Sequence, residues 1–197
     1  MNWQFFQHKN ILFLLVFLSF LLTSFDKPQK TYCNLALNPA DVNDEVWTPE
    51  NGYPHATSNS EYPGDSSDPS FWALNAIDGK TENRGHGKDF PSWGPEKRTD
   101  LWWKVNFGKE VEVNKVVIYI RADFKPYTPQ DHDGYWVSAK LRFSDGSVQS
   151  IQLKRTADPQ VFELKTTKTS FVQITDLVEE GPLMWCSFNE VEVWGYR

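Results

Sequence analysis

Residues 99–108 read TDLWWKVNFG, and the two adjacent tryptophans in this stretch indicate how the chain folds. Neighbouring residues of a β-strand point to opposite faces of the sheet. One face of this strand therefore carries Trp103, Val105 and Phe107, and the other carries Trp102 between polar residues. Trp103 is the expected core residue. Trp102 either lies under the loops that precede it or presents its indole ring to a ligand.

The same alternation of apolar and polar residues continues along the second half of the chain. It is clearest in VVIYIR (residues 116–121) and WVSAKLRF (residues 136–143), and no stretch keeps a helical period. SDGS (residues 144–147) follows the second run as a hairpin turn, in which Gly146 accepts a positive φ. These patterns predict an all-β protein, an antiparallel β-sandwich.

Composition limits the possible functions. With 197 residues, of which 40% are hydrophobic and 15% aromatic, the chain can bury one good core. Its net charge of −6 and pI near 5.2 argue against nucleic acid or an anionic membrane surface as a partner.

The first residues predict targeting. The apolar run ILFLLVFLSFLL (residues 11–22) has the length of a signal-peptide core and is short for a bilayer span, which takes about 20 residues. We predict a signal peptide over residues 1–24, a short linker over 25–33 and one domain over 34–197, in a secreted or extracytoplasmic protein. The alternative is an uncleaved membrane anchor, which would be the only membrane contact.

Two cysteines, Cys33 and Cys186, lie near the two ends of the predicted domain. An oxidising compartment would allow one disulfide bond between terminal strands. The alternative is two buried thiols. Redox catalysis is not expected because the chain has no Cys-x-x-Cys motif.

Four short motifs then carry a family resemblance: NAIDGK (residues 75–80), LWWKVNFG (101–108), KVVIYIR (115–121) and NEVEVWG (189–195). In this order they resemble the galactose-binding-like jelly roll. Within that superfamily the chain looks like discoidin or coagulation-factor type C domains, bacterial carbohydrate-binding modules and F-type lectins. The resemblance extends over about residues 34–195 and implies a jelly-roll β-sandwich.

The resemblance also implies a structural calcium ion. Related lectins hold calcium between the AIDG turn and a glutamate on the last strand, and calcium takes roughly six to eight oxygen ligands. Carried over by position, the ligands would be the Asn75 carbonyl, the Asp78 carboxylate, the Lys80 carbonyl and the Glu190 carboxylate. The alternative is that Asp78 only caps a turn and Glu190 is solvated.

Polar and aromatic residues of three loops form a predicted sugar site. Sugars are bound by flat apolar rings beside planar polar groups. The predicted ligand residues are His86, Trp93, Arg121, Asp123, Asp131, His132 and Trp136. Arg121 and Asp123 also resemble the arginine and aspartate that F-type lectins use for sugar hydroxyls. The alternatives are an ion pair for Arg121 and a core position for the two tryptophans.

No catalytic motif accompanies this site: there is no Gly-x-Ser-x-Gly, His-Glu-x-x-His, phosphate-binding or dinucleotide-binding sequence. We therefore expect no enzymatic activity. The predicted function is exported, non-catalytic carbohydrate binding, with glycans on a surface or polymer as partners. The alternative is a protein-interaction or adhesion module of discoidin type that has no sugar ligand. Lipid binding is disfavoured because the predicted loop tips are rich in Asp and Pro.

Overall fold

Antiparallel β-strands are the main regular structure of the domain. The computed structural model describes residues 30–39, 52–82, 85, 87–122, 134–181 and 183–197. Within these residues the strands are β1 (Tyr32–Asn34), β2 (His55–Ser58), β3 (Trp103–Ile120), β4 (Trp136–Phe143), β5 (Val148–Gln152), β6 (Gln160–Glu179) and β7 (Phe188–Tyr196). The helical turns described are short 3-10 helices at Pro69–Phe71, Ala73–Ile77 and Gly87–Asp89. The predicted all-β class is confirmed.

Two long strands, β3 and β6, connect the two layers of the sandwich. The strand order is β1-β7-β3-β6-β4-β5, and β2 also pairs with β3. The first part of β3 lies between β2 and the end of β6, whereas its second part lies between β7 and the start of β6. Register shifts after Asn106 and Val113 mark the change. Each long strand therefore contributes to both layers, around one core.

The adjacent tryptophans of β3 lie on opposite faces, as predicted. Trp103 and Val105 are 0% exposed and Phe107 is also buried. The Trp103 indole N–H donates to the Ala73 carbonyl at 3.0 Å, so its polar group is satisfied inside the core. Trp102 is half-buried, and Lys104 Nζ lies 6.0 Å from its ring centroid. Trp102 therefore lies on the outer face and is only partly covered.

Glycine is required at two bends of the sheet. Gly146 has φ +85° in the turn between β4 and β5, which confirms the predicted hairpin. Gly108 has φ +70° in the middle of β3, where a Cβ atom would collide with the Tyr53 ring. A side chain at Gly108 would face both backbone strain and this clash.

The structure corrects the predicted Cys33–Cys186 disulfide: both residues are thiols. Cys33 pairs with Gly195 near the end of β7, whereas Cys186 precedes the start of that strand. The nine residues of β7 place them about 30 Å apart at roughly 3.3 Å per residue. A disulfide bond needs Cα atoms within about 7 Å of each other.

The predicted signal peptide or anchor lies outside the described residues, as does most of the predicted linker. Strand β1 begins at Tyr32, within the segment predicted as linker, because Tyr32 pairs with Tyr196 and contacts its ring. The compact domain accordingly extends over Thr31–Arg197. The part of the chain that the structure describes has no helix long and apolar enough to cross a membrane.

Candidate functional site

A cavity of about 350 Å³ opens at the end of β3, beside Arg121. We call it the Arg121 cavity. The Arg121 backbone N–H donates to the Ser187 carbonyl at 3.2 Å, which joins the end of β3 to the segment before β7. The Arg121 residue is 3% exposed, and its Nη1 lies 3.4 Å from Ser92 Oγ. The lining residues are Tyr62, Phe71, Gly94, Pro95, Arg121, Trp185, Cys186 and Ser187.

Three aromatic rings form the wall of the Arg121 cavity. Tyr62 packs edge-on against Phe71 and Trp185, with ring centroids 5.5 and 4.8 Å away. Lys97 Nζ lies 4.8 Å from the Trp185 ring centroid. Edge-to-face packing of this kind favours a fixed arrangement of rings. The wall is therefore a preformed apolar surface beside a buried guanidinium group.

Backbone hydrogen bonds hold the loops that carry these rings. Tyr62 N–H donates to the Gly94 carbonyl at 2.8 Å, and Gly94 N–H donates to the Phe71 carbonyl at 3.1 Å. A Cβ atom at Gly94 would lie 2.6 Å from the Phe71 ring. Glycine at this position therefore allows the Phe71 ring to approach the backbone closely.

Of the predicted ligand residues, Arg121 lies in this cavity and the two tryptophans do not. Trp93 and Trp136 are 0% and 1% exposed, and their rings stack with centroids 5.5 Å apart. Phe188 completes this core cluster. The structure therefore corrects their stacking role: no ring face is left for a ligand. His86, Asp123, Asp131 and His132 lie outside the described residues.

The aromatic wall of the Arg121 cavity was not predicted from the sequence. Tyr62 and Phe71 lie in a segment rich in turn-forming residues, and Trp185 lies far along the chain from both. One available signal was the presence of large aromatic residues in turn-rich segments, where rings are otherwise exposed. Tyr62, Phe71 and Trp185 come together only when Trp93 pairs with Phe188. No local sequence pattern predicts this long-range pair.

A second cluster of charged groups lies at the predicted calcium turn. The structure brings Asp78 and Glu190 together: both are buried, and Gly79 N–H donates to Glu190 Oε2 at 3.1 Å. Lys80 N–H donates to Asp78 Oδ1 at 2.8 Å. The Lys80 ammonium forms an ion pair with Asp78 Oδ2 at 3.1 Å. The predicted alternative, a solvated Glu190, does not match the structure.

The Asn75 side chain is hydrogen-bonded to the loops next to the Asp78 turn. It is 1% exposed, and its amide donates to the Pro69 carbonyl at 2.8 Å and, at 3.4 Å, to the Ser92 carbonyl. Both contacts tie the 3-10 helix of residues Ala73–Ile77 to the neighbouring loops. The side chain is thus committed to the loops, and only the backbone carbonyl of Asn75 was predicted as a ligand.

Burial alters the acidity of both carboxyl groups. It raises the pKa of Glu190 to about 9, against the opposing effect of the Gly79 N–H, and the nearby Asp78 charge raises it further. Burial also raises the pKa of Asp78, although its hydrogen bonds with Lys80 oppose the shift. Lys80 supplies a counter-charge to Asp78, whereas no cation offsets the burial of Glu190 among the causes of its raised pKa.

Buried oxygen atoms at this turn and at the start of β7 are the candidate ligands for a hard cation. Glu190 Oε1, Asp78 Oδ2 and Asn189 Oδ1 are buried and have no hydrogen-bond partner. The Asn189 amide donates to the Glu82 carbonyl at 2.8 Å, which brings the loop after Lys80 to β7. Asn189 was not predicted from the sequence. The described residues contain no group of three or more Asp, Glu, His or Cys around one point, so amide and carbonyl oxygens would have to complete a calcium shell.

With the fold and both clusters defined, the chain can be compared with known proteins. Residues 55–191 match the family model of the F5/8 type C domain, also called the discoidin domain. The chain belongs to this family. The match begins at β2 and ends within β7, so it includes both the Arg121 cavity and the Asp78–Glu190 pair. No curated protein sequence matches the chain.

Several solved structures resemble this discoidin domain. A variant of chitosan-binding module 1 of a Paenibacillus sp. IK-5 chitosanase/glucanase is 21% identical, with a TM-score of 0.54 over 84% of this chain and 100% of that chain. A Streptococcus pneumoniae fucose-binding module is 17% identical, with a TM-score of 0.55 over 84% and 99%. A fucolectin from striped bass (Morone saxatilis) serum is 19% identical, with a TM-score of 0.57 over 85% and 50%. These similarities confirm the predicted jelly-roll fold.

Proposed function

We propose that this discoidin domain is a non-catalytic carbohydrate-binding module whose ligand occupies the Arg121 cavity. The observation that carries the proposal is the combination of three packed aromatic rings with a buried arginine in one cavity. A pyranose has an apolar C–H face and a rim of hydroxyl groups, so it matches a ring surface beside planar N–H donors. The volume of about 350 Å³ lies in the usual range for small-ligand sites.

The structural relatives support the same ligand class. The modules from Paenibacillus and S. pneumoniae bind chitosan and fucose, respectively, and the striped bass protein is a fucolectin. No catalytic motif was found in the sequence, and the residues that line the Arg121 cavity include no carboxylate that could serve as a general acid or base. Binding without chemical conversion is therefore the proposed activity.

We also propose that calcium is a structural ion at the turn before Lys80. Asp78 and Glu190 would hold it through the two carboxylate oxygens that accept no hydrogen bond. Bound there, the ion would place positive charge beside Glu190, whose burial disfavours the ionised carboxylate. It would tie the Gly79–Glu82 loop to β7 without taking part in binding the sugar.

Export is proposed from the sequence. The apolar run of residues 11–22 precedes the domain by a short segment and has the composition of a signal-peptide core. A protein exported in this way would meet glycans on a cell surface or in an extracellular polymer. The ligands proposed for the Arg121 cavity are therefore available where the protein would be located.

A glycan-array screen of the full-length protein tests the proposal. The protein is kept in a detergent without a sugar headgroup, since alkyl glycosides would compete, and it is screened with calcium and again with a chelator. We expect binding to a defined set of sugars. A blank array with folded, calcium-loaded protein would contradict glycan binding and would favour protein recognition.

A pair of tryptophan variants locates the sugar. Trp185→Ala removes part of the wall of the Arg121 cavity, so affinity for the sugar should fall about tenfold or more, which corresponds to roughly 1.4 kcal/mol. Trp194→Ala is the matched control, because Trp194 is also half-buried and lines neither this cavity nor the calcium turn. Equal losses in the two variants would place the sugar elsewhere.

A further inference from the structure

A second and larger cavity lies on the other side of the loop that walls the Arg121 cavity. Its volume is about 490 Å³, and its lining runs from β2 through Ser60 and Glu61 to Ser66, with Trp72 opposite. We call it the Glu61 cavity. The two cavities have no lining residue in common. Adjacent residues of one loop face different cavities: Glu61 and Trp72 line the larger one, while Tyr62 and Phe71 line the smaller one.

Glu61 gives the larger cavity its charge. Its Oε1 accepts a hydrogen bond from Ala73 N–H at 2.7 Å, which fixes the carboxylate at the start of a 3-10 helix. The lining includes no lysine and no arginine, and its other ionisable side chain, His55, is buried. Among the described residues, no cation lies within ion-pair distance of Glu61. A carboxylate in this setting attracts cationic ligands and repels anionic ones.

Trp72 supplies an apolar surface beside this carboxylate. Its indole N–H donates to the Ser66 carbonyl at 2.8 Å, so the ring is held in one orientation. The residue is half-buried and lines the cavity, so part of its surface remains open to a ligand. An indole ring also attracts a nearby cation through its π-face. Ring and carboxylate therefore favour the same type of ligand.

Small polar residues at the end of β2 also line the Glu61 cavity. Ser58 Oγ donates to the Ser60 carbonyl at 3.0 Å, and Ser60 Oγ accepts from Glu96 N–H at 3.1 Å. Asn59 uses both ends of its amide, donating to the Asp100 carbonyl and accepting from Trp102 N–H. These bonds fix a row of hydroxyl and carbonyl groups along the edge of β2. Such a row suits a ligand that carries several hydroxyl groups.

We propose that the Glu61 cavity is a second binding site, which takes an amino sugar with its primary ammonium group on Glu61 and its ring against Trp72. A sugar with a carboxylate or sulfate group would meet like charge at Glu61. A lysine side chain would satisfy Glu61 but would not place a sugar ring against Trp72. The site goes beyond the function proposed for the Arg121 cavity, and each cavity can bind in the absence of the other.

Amide NMR on the full-length protein can observe this site alone. The Ala73 amide proton is hydrogen-bonded to the Glu61 carboxylate, and the Trp72 indole proton is hydrogen-bonded to the Ser66 carbonyl. Both NMR signals therefore report on the Glu61 cavity. A Trp72→Phe variant assigns the indole signal among the nine tryptophans. The probe is the β-1,4-linked glucosamine disaccharide at mildly acidic pH. Its N-acetylated form, which lacks the charge, is the comparison ligand.

We expect saturable shifts of both signals with the glucosamine disaccharide and at least tenfold weaker binding of the N-acetylated form. Glu61→Gln keeps an oxygen for the Ala73 N–H but removes the charge, so it should weaken binding of the glucosamine disaccharide about tenfold. Glu192→Gln is the matched control, because Glu192 also accepts from an N–H group and lies in neither cavity. Its affinity should stay unchanged.

Two results would overturn the proposal. The absence of shifts at both signals would exclude the site, and equal binding of the two disaccharides would exclude the ammonium contact with Glu61. The Trp185→Ala variant separates this test from the first proposal, since it damages only the Arg121 cavity. If sugar binding at that cavity fails entirely, the Ala73 and Trp72 signals still decide whether the Glu61 cavity binds.

Discussion

The Arg121 cavity and the Asp78–Glu190 pair both bury charged side chains, but they surround them differently. Arg121 is 3% exposed and borders an open space lined by aromatic rings. Glu190 is 1% exposed and faces the turn that contains Asp78, where several oxygens lack hydrogen-bond partners. The first arrangement leaves room for a ligand of molecular size, whereas neither carboxyl group of the second lines a described cavity. The same degree of burial therefore indicates two kinds of site.

Removing the charge at Glu190 should change the calcium-dependent stability of the protein more than any other substitution considered below. Calcium at a hundred times its dissociation constant should raise the free energy of unfolding of the native protein by about 2.7 kcal/mol. Glu190→Gln should lose most of this gain, and Glu192→Gln on the same strand should keep it. Thermal unfolding with calcium and with a chelator measures the difference. A calcium-dependent gain that survives Glu190→Gln would place the ion elsewhere.

The melting temperature of the metal-free protein should depend on pH because of the buried Glu190 carboxyl group. The pKa of Glu190 is about 9 in the folded chain and near 4.5 when it is exposed, so folding favours its neutral form. This contribution to stability is fully present below pH 4.5 and is lost as the pH rises toward 9. In chelator, the melting temperature should fall over this window, and less so in Glu190→Gln. A melting temperature that rises over the window would contradict the assignment.

A substitution of Arg121 should lower the affinity for the sugar without changing the stability that calcium confers. Arg121→Lys keeps the positive charge but replaces a planar set of donors by a single ammonium group. Affinity for the sugar that the array identifies should fall about tenfold, roughly 1.4 kcal/mol, while calcium-dependent stabilisation stays unchanged. Isothermal titration calorimetry measures the first quantity, and thermal unfolding measures the second. Parallel losses in both would mean that the two sites are coupled.

Reducing agents should have the smallest effect on stability and on sugar binding. Because the fold keeps Cys33 and Cys186 far apart, neither site depends on a bond between them. Dithiothreitol should leave the melting temperature and the sugar affinity unchanged, and the Cys33→Ser variant should behave like the native protein. A marked loss of stability on reduction would show a cross-link that this fold does not contain.

The strands could be predicted from the sequence because their signal is local. The alternation around Trp103 and along residues 136–143 needs only neighbouring residues to assign buried and exposed faces. The family resemblance predicted that the turn at Asp78 meets Glu190, and the structure brings the two residues together, whereas the calcium ion itself stays a prediction. In each case a short motif contains most of the information.

The aromatic wall and the cysteine geometry could not be predicted in this way. Tyr62 and Trp185 meet only after the loops have been placed by long-range pairs such as Trp93 with Phe188. The disulfide prediction failed because Cys33 was placed near Cys186 without knowledge of the register of β1 on β7. Large aromatic residues in loops carry the same local signal whether they form a core or a cavity wall.

The pairing of the two ends of the domain has a mechanical consequence. Thr31 and Arg197 exchange backbone hydrogen bonds of 3.2 Å, so the first and last residues of the domain lie side by side. The Arg121 cavity lies at the opposite end of β3 and β7. A force between the two ends would open the β1–β7 pair one hydrogen bond at a time. A force between Thr31 and a ligand held at Arg121 would run along the strands and load their perpendicular hydrogen bonds together in shear.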